Sequence, residues 1–504
     1  RVSNIFLENF AIIFAGMRYN LIDLSDYIMN WQKLKKQDFL LTVLIILLSL
    51  IGLLIIYSTT FNYSPDSTLG QTLPKQIIFL IFGLSIYFIL LTIDISWLEN
   101  QGILKLAYLL TLFLQIIVKF FGDTRAGTNR WLDIGFFSLQ PAEYAKIVII
   151  LITAKALYDI KFLENKPVFN RLTFKKSKKN KFSNLFIDRP VLKILAKNAI
   201  MVLPLIALTL IQPSLGNALI SLALWLLVLL VLFPKPIFLI KTIIVLFLGI
   251  SLALQIWEVS FESPSFIISI FNDFNWVSIA VILVTLIVSI FFLKIKPKHF
   301  VPTIIIGLIV VLGIPTLWNS GITNYQKERV LTFFEGPESD PTGSGYQVIQ
   351  SKIAIGSGMF WGRGYLQGTQ SSLRVLTQAS TDFAFAAYAE QFGFVGSLIL
   401  LGLYFVLLLR ILKIARESKN EFGKYLALGV GILMFLHIFI NIGMNLGKLP
   451  VTGIPLPLIS YGGSATVMIL ICLGLVQSVQ TSRKSVDIAN NLMLTSASLL
   501  NKSK

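Results

Sequence analysis

Residues 450–464 read PVTGIPLPLISYGGS. Apolar, helix-like sequence flanks this stretch on both sides, yet it holds three prolines and three glycines. Proline and glycine are the residues a helix interior tolerates least. A rigid, bent segment has been placed among greasy helices, and its purpose decides how the chain is read.

The surrounding sequence defines the setting. The chain has 504 residues, of which 55% are hydrophobic and 13% charged, with a mean hydropathy of +0.77. Apolar runs recur along it, each near the ~20 residues needed to cross a bilayer as a helix. The fold class is therefore all-α, a polytopic integral membrane protein. The apolar runs are continuous rather than alternating, which excludes a transmembrane β-barrel. The net charge of +18 would suggest nucleic acid in a soluble protein. Here the excess of lysine and arginine in cytoplasmic loops explains it, and no nucleic-acid partner is expected. One cysteine, Cys472, and two histidines, His299 and His437, leave no disulfide framework and no His-rich metal centre. No cleavable signal peptide is evident, so the first spanning helix serves as the insertion signal. The chain starts at Arg1, and residues 1–16 carry no weight in this reading.

Twelve spans are predicted, at 39–60, 77–97, 103–121, 143–158, 199–212, 215–233, 237–256, 276–293, 300–318, 383–410, 425–446 and 465–480. Residues 1–38 form an N-terminal cytoplasmic segment, 39–480 the transmembrane domain, and 481–504 a cytoplasmic tail. Basic residues set the orientation. Lys33, Lys35 and Lys36 precede the first span, and about a dozen Lys and Arg fill the loop 155–198. Lys294, Lys296 and Lys298 fill another loop; Arg410, Lys413, Arg416, Lys419 and Lys424 follow the tenth span, and Arg483 and Lys484 the last. With both termini cytoplasmic, every one of these groups lies inside. The loop 257–275 lies outside and has Glu258, Glu262 and Asp273 but no Lys or Arg. The run KKSKKNK at 175–181 reads either as a solvated topogenic loop or as a binder of anionic lipid.

On this map GTNRWLDIGFFSLQPAEYAK (127–146), IQPSLGNA (211–218), the large segment 319–381 and PVTGIPLPLISYGG all lie outside. Every departure from plain apolar helix thus falls on one face of the membrane. Irregular backbone at membrane depth persists only where protein buries it or where it lines a wet cavity. The inference is a polar cavity open to the outer surface, with Pro450, Pro455, Pro457, Ser460, Gly462 and Gly463 forming one stiff wall.

Charges at the outer ends of spanning helices are costly and usually functional. Arg130 and Trp131 precede the fourth span. Gln140-Pro141 fits its first turn, where proline is favoured. Glu143 and Lys146 follow on one helix face, at i and i+3, either as partners of each other or as part of a site. Asp382 falls where the large outer loop enters the tenth span, and Glu390 lies two turns further along. Position leaves Asp382 open between a helix cap and a catalytic acid or base.

Taken together, NRWLDIGFFSLQPAEYAK, QPSLGNA, YQKERV, GYQVIQSKIAIGSGMFWGRG, TDFAFAAYAEQFGFVG and NIGMNLGKLPVTGIPLPLISYGGS resemble, in order, the motifs of the SEDS family (shape, elongation, division and sporulation). The likeness runs from about residue 39 to 480. The PVTGIPLP form at 450–457 looks more like the rod-shape branch than the division branch. The resemblance implies a peptidoglycan glycosyltransferase in the bacterial cytoplasmic membrane. Its substrate would be lipid II, a disaccharide-pentapeptide on undecaprenyl pyrophosphate. Its partners would be a class B penicillin-binding protein and other proteins of the elongation complex. The family's essential aspartate falls on Asp382, its Gln-Pro-Ser-Glu and following lysine on Gln140, Pro141, Ala142, Glu143 and Lys146, and its Arg-Trp on Arg130 and Trp131.

Some positions depart from that pattern. Ser214 stands where the family usually has an aspartate, and Thr377, Gln378 and Ser380 stand where it often shows Pro-Glu and a histidine. A metal or proton-relay role at those positions is not expected. The family commonly has ten spans, which assigns an extra hairpin to 237–318.

The implied chemistry deprotonates a sugar hydroxyl attacking an anomeric carbon while pyrophosphate leaves. Asp382 is the expected base, a role worth roughly 10²–10⁴ in rate. Arg130 and Lys146, with Arg363 or Arg374, are expected to neutralise pyrophosphate. Glu143 and Glu390 are assigned to support. No cofactor is called for outright; a divalent cation, Mg2+ or Mn2+, is compatible, since Mg2+ is commonly held by one or two carboxylates and substrate phosphate. Two other readings stand beside the enzyme. A lipid II transporter would also need polar groups in a membrane cavity, but with routes to both faces. A non-catalytic scaffold for a penicillin-binding protein would explain the departures at Ser214, Gln378 and Ser380.

Overall fold

A computed structural model describes residues 31–164, 189–233 and 324–502, apart from a few loop residues. The spans expected at 237–256, 276–293 and 300–318 lie outside the described residues, as do Arg374 and the KKSKKNK run. The described chain runs α1 (Phe39–Thr60), α2 (Thr72–Thr92), α3 (Gln101–Phe121), β1 (Asp123–Arg125), β2 (Thr128–Ile134), β3 (Phe137–Leu139), α4 (Pro141–Glu164), α5 (Arg189–Ile211) and α6 (Leu215–Leu232). It resumes with α7 (Asn324–Glu335), α8 (Ser344–Ser357), α9 (Ala384–Glu417), α10 (Glu421–Asn445) and α11 (Gly463–Lys502).

Eight of the described helices are long and apolar enough to cross a membrane. The protein is a multi-pass helical membrane protein, and its described residues do not reach the count of twelve. α4 is not among the eight, because its ionisable residues interrupt the apolar run. It is nevertheless the centre of the bundle, packed against α3, α5, α6, α10 and α11. Ala145, Ile147, Val148, Ile149, Ile150, Leu151, Ile152 and Ala154 are all buried, so α4 is covered all round by protein rather than lipid. By contrast α3 leaves Leu106, Leu109, Leu110, Phe113 and Phe120 exposed along its outer surface, as a lipid-facing helix does. α11 stays helical to Lys502, beyond the expected end of the last span at 480.

Two polar nodes tie the bundle together, one at each end. At the end bearing the basic connections, Asp38 caps α1 by accepting from Leu41 N (2.9 Å) and pairs with Arg410 of α9. Gln477 of α11 donates to the Asp38 carbonyl (2.9 Å) and to the Tyr87 hydroxyl of α2 (3.1 Å). Buried polar atoms are costly without partners, and here one small network satisfies four helices at once. The opposite node includes Asp382 and is described below.

The segment 123–139, expected as irregular, is a three-stranded antiparallel meander in the order β1-β2-β3. β2 pairs Leu132 with Leu139 and Asp133 with Ser138, and so delivers the chain to the first turn of α4. That turn begins at Pro141, where the sequence places it. Gln140 N donates to Ser464 Oγ of α11 (2.9 Å), which fixes the entry.

Candidate active site

The PVTGIPLPLISYGG segment enters the bundle rather than lying over it. A Cβ placed on Gly52, well inside α1, would meet the Leu458 carbonyl oxygen at 2.3 Å. The loop backbone therefore packs directly against a helix backbone, and only glycine allows that approach. Ile454, Leu456, Leu458 and Ile459 are buried. The loop's own polar groups are met by side chains: the Ile454 carbonyl by Asn441 Nδ2 (2.7 Å), the Pro457 carbonyl by the Tyr404 hydroxyl (2.5 Å) and Leu456 N by Ser460 Oγ (2.9 Å). Non-helical backbone at this depth is tolerable because these groups are satisfied by protein. The prolines reduce what the loop loses in entropy on ordering.

Against this wall stands Asp382. Its helix, α9, starts at Ala384, and no side chain caps it from its own N-cap position. Asn445 of α10 instead accepts from Ala386 N (3.1 Å). Asp382 is therefore not the helix cap. Its backbone carbonyl is held twice, by Asn441 Nδ2 (2.9 Å) and Asn445 Nδ2 (3.1 Å). The turn before it is locked by Phe383 N to the Gln378 carbonyl (3.1 Å) and Tyr461 N to the Ser380 carbonyl (2.8 Å). The backbone is fixed and the side chain is half-buried.

The carboxylate faces Arg329 of α7. Asp382 Oδ2 and Arg329 Nη1 lie 3.5 and 3.6 Å from the position a Cβ would take on Gly453. Gly453 is exposed, with φ +70°, so both charges border one solvent-facing point of the loop. Burial pushes the Asp382 carboxyl above the ordinary carboxylate range, and the Arg329 guanidinium opposes that rise. Arg329 also donates to the Val451 carbonyl (3.4 Å). Beside it opens a small cleft, about 30 Å³ in volume, lined by Arg329, Thr332, Phe333, Pro450 and Val451. Thr452 of the loop is approached by Gly216 of the QPSLGNA motif, whose added Cβ would lie 2.2 Å from the Thr452 carbonyl oxygen.

The remaining expected residues fall into separate groups. Lys146 is fully buried and bonds both Glu143 oxygens at 3.0 Å and His437 Nε2 at 3.2 Å. The i,i+3 spacing that puts Glu143 on its face gives Lys146 an internal counter-ion within the bundle. Arg130 is half-buried and donates to the Pro213 carbonyl, joining the meander to the QPSLGNA turn. Trp131 sits opposite Asp123 in β2 and is half-buried. Glu390 is fully buried and accepts from Gln370 N (2.8 Å) and Thr369 Oγ1 (3.1 Å), a supporting position. Arg363 is exposed and donates to Thr369 Oγ1 (2.9 Å). Next to it α9 breaks at Gly393, and Arg363 N and Gly364 N bond the Glu390 and Gln391 carbonyls at 3.0 Å each. Ser214 is buried in the turn before α6.

Four residues of this arrangement carried no role in the sequence reading: Arg329, His437, Asn441 and Asn445. Asn441 and Asn445 gave a signal, since two amides at i,i+4 on an apolar helix share a face and need partners. Arg329 lay within a quoted motif. His437 gave none, because its partner is distant in the chain.

A model of the FtsW/RodA/SpoVE proteins, described as cell cycle proteins, matches residues 38–273 and 263–485. The chain belongs to the FtsW/RodA/SpoVE family. Among its relatives, the peptidoglycan glycosyltransferase MrdB of Escherichia coli K12 is 34% identical over 451 residues, covering 88% of this chain and 94% of that one. The peptidoglycan glycosyltransferase RodA of Treponema pallidum is 32% identical over 450 residues, covering 88% and 97%. In structure, a chain from a peptidoglycan synthase complex that coordinates polymerisation and crosslinking superposes with a TM-score of 0.55 at 25% identity, covering 89% of this chain and 98% of that one. Rod shape determining protein RodA of Thermus thermophilus, at 22% identity and a TM-score of 0.50 over 89% and 97%, shares the FtsW/RodA/SpoVE fold.

Proposed function

We propose that this protein is a peptidoglycan glycosyltransferase that polymerises lipid II at the outer face of the bacterial cytoplasmic membrane, for elongation and shape. Family membership and the glycosyltransferase relatives support the activity. The orientation, with basic connections and both termini in the cytoplasm and the Asp382 end outside, rests on the positive-inside rule. The full count of twelve spans, with an added hairpin within 237–318, rests on the length of the apolar runs.

The observation that carries the reading is the Asp382 carboxylate, bound to no helix end and facing Arg329 across the exposed Gly453. In the proposed step the carboxylate takes the proton of the acceptor sugar hydroxyl. The hydroxyl oxygen bonds to the donor's anomeric carbon, and the carbon–oxygen bond to the pyrophosphate breaks. The electron pair leaves with undecaprenyl pyrophosphate. One base on one face suits inversion at that carbon. Arg329, beside Asp382, would meet phosphate negative charge, with Lys146, Arg130 and Arg363 as further candidates. A divalent cation would find Asp382 as a carboxylate ligand and take the rest of its shell from substrate phosphate and water. Among the described residues no three His, Cys, Asp or Glu converge.

The test is glycan synthesis from lipid II by the purified protein with a class B penicillin-binding protein, the partner proposed from the family. Asp382→Asn should lower the rate by about 10²–10⁴ with an unchanged melting temperature. Movement of labelled lipid II across vesicles without polymer would instead favour a transporter.

A further inference from the structure

The end of the bundle opposite Asp382 holds a cleft that the reaction does not use. It lies between α3, α4 and α5, has a cavity volume of about 140 Å³, and is lined on its polar side by Gln101, Lys105, Lys155, Asp159, Lys197 and Asn198. Three cations therefore face one acid. Lys155 is committed, pairing with Asp159 at 3.0 Å and lying 4.6 Å from the centre of the Tyr158 ring. Lys105 and Lys197 are exposed and form no ion pair among the described residues. Asn198 is buried between Thr153 (3.4 Å) and Trp225 Nε1 (2.7 Å), which pins α5 to its neighbours and sets the position of Lys197.

The apolar side continues the cleft toward the membrane interior. Leu104, Ile152 and Met201 form its floor. Beyond it, Leu109, Ile200 and Leu203 are exposed on α3 and α5. Lys105 is in the second turn of α3, and Lys197 lies about 12 Å along α5 from Arg189. Two ammonium groups without an anionic partner among the described residues carry a cost where they border the membrane interface. Snorkelling to the interface relieves only part of the cost. A phosphate carried on an acyl chain would satisfy both halves of the cleft.

We propose that this cleft binds the phosphate headgroup of an anionic phospholipid from the membrane leaflet at the basic end, with an acyl chain along α3 and α5. The assignment of that leaflet as cytoplasmic rests on the orientation above. The binding itself does not depend on the glycosyltransferase reading, so the two can fail separately.

Native mass spectrometry of the full-length protein with phosphatidylglycerol and, in parallel, phosphatidylethanolamine tests the proposal. The wild type should retain phosphatidylglycerol preferentially. The double variant Lys105→Gln, Lys197→Gln should retain it about thirtyfold less well, since each interfacial lysine contributes on the order of 1 kcal/mol. Its phosphatidylethanolamine retention and melting temperature in lipid-free detergent should not change, which marks the loss as specific rather than unfolding. Equal phosphatidylglycerol retention by wild type and variant would overturn the proposal. So would displacement of the lipid by millimolar inorganic phosphate, which would mark a site for a soluble anion.

Discussion

Two acid–base pairs stand toward the same end of this bundle and are treated oppositely by the fold. Glu143 and Lys146 sit on one helix, close at 3.0 Å and buried with His437 against them. Asp382 and Arg329 come from different elements, flank an exposed glycine and border a cleft. The first pair uses its charges on each other. The second keeps a carboxylate desolvated yet reachable, which is the condition for moving a substrate proton. The resemblance singles out Asp382, Glu143 and Lys146 but not Arg329, and burial separates the two pairs.

The contrast can be broken most forcefully at the sealed pair. Lys146→Met alone leaves Glu143 buried without its cation, a loss of about 3–5 kcal/mol. Thermal unfolding in detergent should show a large fall in Tm. Adding Glu143→Leu should restore much of it, because removing both charges removes the desolvation cost as well. A lone Lys146→Met that melted like the wild type would show that the pair is not sealed.

A smaller effect is expected at the open pair's hinge. Gly453 has φ +70°, and a Cβ there would stand within 4 Å of both Asp382 and Arg329. Gly453→Ala should lower the polymerisation rate on the order of 10²-fold, the scale of a 1 Å misplacement, with a change in Tm much smaller than that of Lys146→Met. An unaltered rate would mean that the loop tip does not set the carboxylate's position.

The smallest effect is on pH dependence. A base works deprotonated, and burial raises the Asp382 carboxyl while Arg329 lowers it. The rate should therefore rise with pH through an acid limb above the ordinary aspartate range. Arg329→Gln removes the lowering influence, so the limb should move to higher pH. A limb that stays in place or moves down would place another group in the base role.

Much of this architecture is legible in the sequence because hydrophobic length is a local property. The spans at 39–60, 103–121 and 215–233 match α1, α3 and α6 within a residue or two. The predicted start at 77 misses α2, which begins at Thr72, because its first turn is polar and reaches inward through the buried Gln76 to Thr466 Oγ1 (2.9 Å). The meander at 123–139 is not legible because β1 and β3 are only three residues each, too short to show alternation beside β2. In the site, local spacing exposed the Glu143–Lys146 pair. The Asp382–Arg329 pairing and the Asn441–Asn445 clasp depend on tertiary folding that no window of sequence contains. Sequence position left Asp382 between cap and base; the start of α9 at Ala384, capped from α10, removed the first option.

The most direct test measures glycan polymer formed from lipid II per folded molecule, with Asp382→Asn beside the double variant Glu143→Leu, Lys146→Met. The account predicts a folded but inactive Asp382→Asn and a double variant that polymerises whenever it folds. An active Asp382→Asn, or a well-folded double variant without activity, would contradict it.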